Sequence, residues 1–291
     1  MSTGRELLQE AIGVLGAEKR LEAELLLASV LGCNRASLLA HDREETTPDQ
    51  AQAFRELIKR RAADEPLQYL LGTTSFMGLD FKVAPGVLIP RFDTEILVEE
   101  AIKCLSGADA PRRILDVCTG SGAIAVSLAK YVRDSEVWAS DLSPQALALA
   151  EENSQRLAAA VRFRQGDLLE PFKEAAFDHY FQLIASNPPY ITTAEMAELP
   201  GDVRREPVMA LWGGADGLTF YRRLARESGA LLADEGYLVM EIGFAQGPAV
   251  QQILLDAGFE DVRIVKDWQA HDRVAIGLWR VPRIKRQQTS I

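Results

Sequence analysis

The chain has 291 residues with 47% hydrophobic and 25% charged, a net charge of −10 and a pI of about 5.0. This is the make-up of a globular enzyme of one large domain or two. The acidic balance disfavours naked duplex nucleic acid as a main partner, because phosphate binding wants a basic face. No apolar run nears the ~18 residues of a membrane span. Three cysteines (Cys33, Cys104, Cys118) and three histidines (His41, His179, His271) are too scattered for a disulfide frame or a metal site.

The opening MSTGRELLQEAIGVLG carries no secretion-signal pattern and reads as an amphipathic helix, so a cytoplasmic protein is expected. Residues 1–71 contain no strand-like run. RLEAELLLASVL sets Leu21, Leu25 and Ala28 on one helical face, and AQAFRELIKRR does the same with Phe54, Leu57 and Ile58. Pro48 suits a first helical turn after Thr46 and Thr47. A small helical domain is expected, separate in grammar from the rest and assigned to substrate docking. Its run Lys59–Arg61 reads as a solvated face.

Over 72–92 the pattern changes. Phe76, Leu79, Phe81 and Val83 alternate near Gly78 and Gly86, which predicts a β-hairpin linking the two parts. Across 93–291 strands and helices alternate. RRILDVC, SEVWASD, AVRFRQGD, YFQLIASN and GYLVMEIG read as strands; GAIAVSLAKYV, SPQALALAEENSQRLA and LTFYRRLARESGALL read as helices. That order predicts an α/β fold with a doubly wound, mostly parallel sheet, whose ligands bind beyond the carboxyl ends of the strands. Two last strands, near 260–265 and 273–279, are expected to pair as an antiparallel hairpin, and the tail from Arg280 to fray.

LDVCTGSGAIA lies where the first strand of this sheet meets its helix. Gly120 and Gly122 permit a tight turn and a close ligand, and the helix start offers free N–H groups. Asp141 ends the next strand, where a carboxylate can accept from both hydroxyls of a ribose. By spacing alone, Gly120, Gly122 and Ala125 with Asp141 also fit a dinucleotide site, and an NAD-dependent dehydrogenase is a competing reading. Asp116 favours S-adenosyl-L-methionine: a carboxylate suits a sulfonium and an ammonium but repels a pyrophosphate. Asp167, closing the third strand, can accept from an adenine amino group. Both positions are also ordinary places for a turn carboxylate. Cys118 reads as a packing residue, since no base stands beside it.

ASNPPYI ends the fourth strand with two prolines that cannot donate to a ladder. They make a stiff turn that displays Asn187 next to the first strand. An amide or ring amino nitrogen is a poor nucleophile while its lone pair is delocalised. Acceptors on its two hydrogens, the Asn187 side-chain oxygen and the Pro188 carbonyl, would orient it and stabilise the positive charge that develops during methyl transfer. Tyr190 could lie against the planar group.

Asn187-Pro188-Pro189-Tyr190 after strand four, with DVCTGSGAIA before it, resembles the S-adenosylmethionine-dependent amino-group methyltransferases. PLQYLLG, VLIPRFDTEILVE, SNPPYI, EPVMALWGGADGL, MEIGFAQ and DRVAIGL together resemble the peptide chain release factor glutamine methyltransferases over nearly the whole chain. The resemblance implies methylation of the side-chain amide nitrogen of the glutamine in a Gly-Gly-Gln loop of release factors. It implies that Asn187, Pro188, Pro189 and Tyr190 carry that glutamine. The turn of Cys118, Thr119, Gly120, Ser121 and Gly122, with Asp141 and Leu168, would line the cofactor site. Three positions depart from the family pattern: Val117-Cys118 stands where Leu-Gly is usual, Leu168 where a Trp is common, and Phe92 where Pro is frequent. A sibling acting on a glutamine of a ribosomal protein shares the same site chemistry. A nucleic-acid amino methyltransferase is disfavoured by the charge, and a non-catalytic binding module by the intact turn and platform.

Overall fold

The structure is a computed structural model and describes residues 2–282; the tail beyond Pro282, expected to fray, lies outside them. The chain divides into two compact units, one built from the residues up to Thr74 with Val83–Pro85 and Leu199–Glu206, the other from Ser75–Lys82, Gly86–Glu198 and the residues from Pro207 on.

The first unit is helical: α1 (Gly4–Leu15), α2 (Arg20–Leu31), α3 (Arg35–Ala40), α4 (Pro48–Ala62) and α5 (Leu67–Leu71). Thr3 and Glu6 form a capping box on α1, and Thr47 with Gln50 one on α4, where Pro48 occupies the first turn. Phe54 and Ile58 are buried as expected, against Leu7, Leu26 and Leu27. The expected face of α2 is corrected. Leu21 is 52% exposed, and the buried residues are Ala23, Glu24, Leu26, Leu27 and Ala28. With α1, α3, α4 and α5 all packed on α2, no single stripe of it faces the core, so one-face periodicity misleads. Arg61 also departs from a solvated run: it is buried and its Nε donates to Glu22 at 2.5 Å.

β1 (Thr73–Phe76) and β2 (Leu79–Lys82) form the expected hairpin. Met77 and Gly78 both have positive φ, the conformation that matches a two-residue turn to strand twist.

The second unit is the doubly wound sheet. Its elements are α6 (Thr94–Cys104), β3 (Arg112–Val117), α7 (Ala123–Tyr131), β4 (Ser135–Asp141), α8 (Pro144–Arg156), β5 (Val161–Gln165), β6 (Phe181–Ser186), α9 (Thr193–Met196), α10 (Val208–Leu211), α11 (Thr219–Ser228), β7 (Leu232–Glu241), α12 (Gly247–Asp256), β8 (Glu260–Lys266) and β9 (Asp272–Trp279). The seven strands lie in the order β5-β4-β3-β6-β7-β9-β8, and all run in one direction except β9, which is antiparallel to both its neighbours.

Parallel strands must bury both faces. Ile114, Leu183 and Val239 pack on one face with Leu97 of α6 and Ala125 of α7. Their sequence neighbours Leu115, Ile184 and Leu238 pack on the other with Leu224 of α11 and Val250 of α12. Each such side chain stabilises the fold by about 1.5–3 kcal/mol. The chain winds outward in both directions from β3, so the ends of β3, β4 and β6 open a crevice at the point where the strand order reverses.

Candidate active site

A cavity of about 220 Å³ sits at that crevice. Cys118, Gly120, Asp141, Asp167, Leu168, Asn187 and Pro189 line it, so strands β3 to β6 all contribute. Val87, Leu142, Met209, Trp212 and Phe220 supply an apolar wall. Among the other expected site residues, Asp116, Thr119, Ser121, Gly122, Pro188 and Tyr190 do not line it.

Asp141 closes β4 half-buried. Its Oδ2 accepts the Gly120 N–H at 2.8 Å and its Oδ1 the Ser143 N–H at 2.9 Å. Burial pushes its carboxyl above the usual range, and those N–H groups oppose the shift. Gly120 has φ +57, and a Cβ there would meet nothing within 4 Å. The space above its backbone is cavity. Gly122 has φ +83 and a Cβ there would stand 3.1 Å from the Cβ of Ala150, so glycine lets α7 approach α8.

Asp116 is fully buried beneath the turn. Its Oδ2 accepts from the Thr119 hydroxyl at 2.6 Å and from the Ala125 N–H at 3.1 Å, while Oδ1 has no hydrogen-bonding partner among the described residues. Desolvation raises its pKa to about 7 against the pull of those donors. Ser121 is buried, with its carbonyl accepting from Asn153 at 2.9 Å.

Cys118 and Leu168 hold positive φ, +62 and +51. A side chain in that region costs about 1–2 kcal/mol, so the cavity floor keeps two strained residues at strand ends. Glycine would adopt this conformation freely at the first of them. Burial and the charges of Asp141 and Asp116 push the Cys118 thiol far above its ordinary range, so it is no nucleophile. The Leu168 carbonyl accepts from Ser140 at 3.1 Å. Both oxygens of Asp167 meet Arg223 of α11, at 3.1 and 2.9 Å.

The Asn187–Tyr190 turn is braced from several sides. Ser186 ties it to β3 through the Val117 carbonyl at 2.7 Å. Ile191 bridges to the segment after α10, its N–H donating to Leu211 at 2.9 Å and its carbonyl accepting from Gly213 at 2.8 Å. The Tyr190 hydroxyl donates to Glu241 at 3.3 Å; burial and that negative neighbour push the phenol well above its usual pKa. The ring therefore packs away from the cavity lining. Asn187 Nδ2 donates to Thr94 at 3.2 Å. Its Oδ1 and the carbonyl of Pro188 accept no hydrogen bond from the described residues. Two acceptors on one rigid turn can thus engage the two hydrogens of an NH2 group.

Thr94, Glu241, Gln246 and Arg223 hold Asn187, Tyr190 and Asp167 and escaped the sequence reading. One signal was available: Glu241 ends β7 as Asp141 ends β4, a carboxylate at the functional edge of the sheet.

A family model described as the PrmC N-terminal domain matches residues 3–72, and one described as the methyltransferase small domain matches residues 92–199. The release factor glutamine methyltransferase of Moorella thermoacetica is 45% identical over 278 residues, covering 93% of this chain and 96% of that relative. Its counterpart from Geobacter sulfurreducens is 43% identical, covering 94% and 96%. A solved methyltransferase from Pyrococcus furiosus, 17% identical, superimposes over 71% of this chain and 92% of its own with a TM-score of 0.51, a likeness of fold alone. With that identity over nearly its full length, the chain belongs to the release factor glutamine methyltransferase family.

Proposed function

We propose that the cavity and the Asn187 turn together methylate the side-chain amide nitrogen of the Gly-Gly-Gln glutamine in peptide chain release factors, with S-adenosyl-L-methionine as donor. The observation that carries this reading is Asn187 Oδ1, an acceptor that takes no hydrogen bond from the described residues, on a turn whose Asn187 and Pro189 line the cavity.

The residues present fit the donor. The open space over Gly120 admits an adenosine close to the backbone. Asp141 offers lone pairs to ribose hydroxyls, and the unsatisfied buried oxygen of Asp116 suits a cationic neighbour. When bound, the donor supplies an electrophilic methyl group on a sulfonium. Asn187 and Pro188 then orient the amide nitrogen and bear on the positive charge that grows there. Pro189 and the apolar wall exclude water from the reacting groups. NAD chemistry has no use for this turn, and the pattern of carboxylates is wrong for a pyrophosphate.

None of the described residues up to 71 lines the cavity, and we assign this segment the docking of the protein substrate. Among the described residues no helix is long and apolar enough to cross a membrane. Release factors work on the ribosome, so a cytoplasmic site of action accords with this reading. Incubating the chain and donor with release factors and, separately, with ribosomal proteins tests the function. Tandem mass spectrometry should find the methyl on the release factor glutamine; label on ribosomal proteins alone would favour the sibling activity.

A further inference from the structure

Asn187 can serve as an acceptor only if its oxygen, and not its nitrogen, faces the cavity. The two ends of an amide have nearly the same shape, so partner chemistry must choose between them. That partner is Thr94. Its Oγ1 lies 3.2 Å from Asn187 Nδ2 and 2.5 Å from Glu241 Oε2. Thr94 and Glu241 are 4% and 1% exposed, so water cannot substitute for either contact. The hydroxyl is not spent on helix capping: Thr94 is the first residue of α6, and no side chain caps that helix.

A hydroxyl has one proton, and an ionised carboxylate only accepts. With Glu241 ionised, its Oε2 accepts the hydrogen bond of the Thr94 hydroxyl, and Thr94 has only lone pairs left for Asn187. The amide must turn its NH2 group to Thr94, which aims Oδ1 at the cavity. Were Glu241 to hold a proton and give it to Thr94, the hydroxyl would be free to donate. The opposite amide orientation would then be favoured, setting an NH2 group against the NH2 of the substrate.

The surroundings of Glu241 bear on its charge. Tyr190, from the turn after β6, donates to its Oε1, and Tyr221 of α11 donates to its backbone carbonyl at 3.1 Å. Arg273 of β9 favours the ionised form but is shared with Asp93 at 3.2 Å and Asp267 at 3.0 Å. Burial raises the carboxyl, Asp93 adds to the rise, and Thr94 and Arg273 resist it.

We propose that Thr94 and Glu241 form a buried relay that sets the amide orientation of Asn187, with Thr94 as a positioning residue for methyl transfer. This rests on the reading of Asn187 as the acceptor for the target amide.

The test compares single-turnover rates on intact release factor, donor affinity and melting temperature for Thr94→Val, Thr94→Ser, Asn187→Ala and the Thr94→Val/Asn187→Ala double variant. Thr94→Val keeps the shape and removes the acceptor. It should slow transfer about 10- to 100-fold, less than loss of the acceptor itself, with donor affinity held within about twofold. Thr94→Ser should restore the rate to within about threefold, because the hydroxyl returns. In the Asn187→Ala background, Thr94→Val should slow transfer no further, since its effect passes through that one side chain. The wild-type rate should fall on the acid side as Glu241 gains its proton, and Thr94→Val should flatten that limb. Normal transfer by Thr94→Val beside a slow Asn187→Ala overturns the relay and leaves the acceptor reading intact. Normal transfer by Asn187→Ala overturns both. If Thr94→Val does not fold, an acid limb still present in Thr94→Ser supports the relay and its absence in the wild type overturns it.

Discussion

Gln246 holds the main chain of Tyr190: its Nε2 donates to the Tyr190 carbonyl at 3.0 Å while its Oε1 accepts the Gly243 N–H at 2.9 Å. The second contact fixes which end of the Gln246 amide meets Tyr190. Gly217 packs against the same carbonyl. It has φ +71, and a Cβ there would stand 2.4 Å from the Tyr190 oxygen and 2.6 Å from Gln246 Nε2.

Gly217→Ala is therefore expected to push the turn out of place as well as strain its own backbone by about 1–3 kcal/mol. A displacement of this kind can slow the chemical step by up to about 100-fold. Donor affinity should change far less, because Asp141 ends β4 and Gly120 sits in the turn after β3. Stopped single-turnover methylation with calorimetry of donor binding checks this; an unaltered rate in Gly217→Ala would show that the turn tolerates movement.

Asp141 has two duties, tethering Gly120 and facing the ribose position. Asp141→Ala should weaken donor binding by roughly 1.5–3 kcal/mol, the worth of hydrogen bonds to a charged group. Asp141→Asn, which keeps one acceptor oxygen, should lose less. Calorimetry on folded variants decides it, and equal affinity in Asp141→Ala would remove the residue from the donor site.

Asp116 predicts a pH dependence of stability in the donor-free protein. Its carboxyl rises from 3.8 to about 7 on folding. Below 3.8 both states hold the proton and its contribution is complete. Between the two values the unfolded chain releases the proton while the folded chain keeps it, so stability falls as pH rises. At about 1.36 kcal/mol per pH unit the loss totals roughly 4 kcal/mol by neutral pH. Asp116→Asn removes this titration and offers an N–H where Oδ1 lacks a partner. Chemical denaturation of both proteins from pH 4 to 8 should show the wild type losing ground to the variant; parallel curves would mean that Asp116 is not held protonated.

How much of this could be read from the chain depends on how local each feature is. The strands around Ile114, Val137 and Leu183 announce themselves as short apolar runs, Gly120 follows the first and Asp141 ends the second, so the crevice was legible. The orientation of Tyr190 was not legible, because Glu241, which accepts from its hydroxyl, is 51 residues away. The same holds for Thr94, 93 residues before Asn187. Such pairings are made by sheet order, which no window of sequence contains. The association of Leu199–Glu206 with the helical unit is of this kind too. The face of α2 was missed for another reason: a helix covered on several sides has no single apolar stripe to read.

The central claim is that Asn187 orients an amide nitrogen for methylation, and one measurement tests it most directly. Release factor is incubated with saturating S-adenosyl-L-methionine and either the wild type or Asn187→Ala, and methylation of the Gly-Gly-Gln glutamine is followed in a single turnover by tandem mass spectrometry. Asn187→Ala should transfer about 100- to 1,000-fold more slowly, the scale set by loss of one preorganised polar contact, with donor affinity and melting temperature close to wild type. Transfer at the wild-type rate, or a methyl group placed elsewhere on the substrate, would contradict the account.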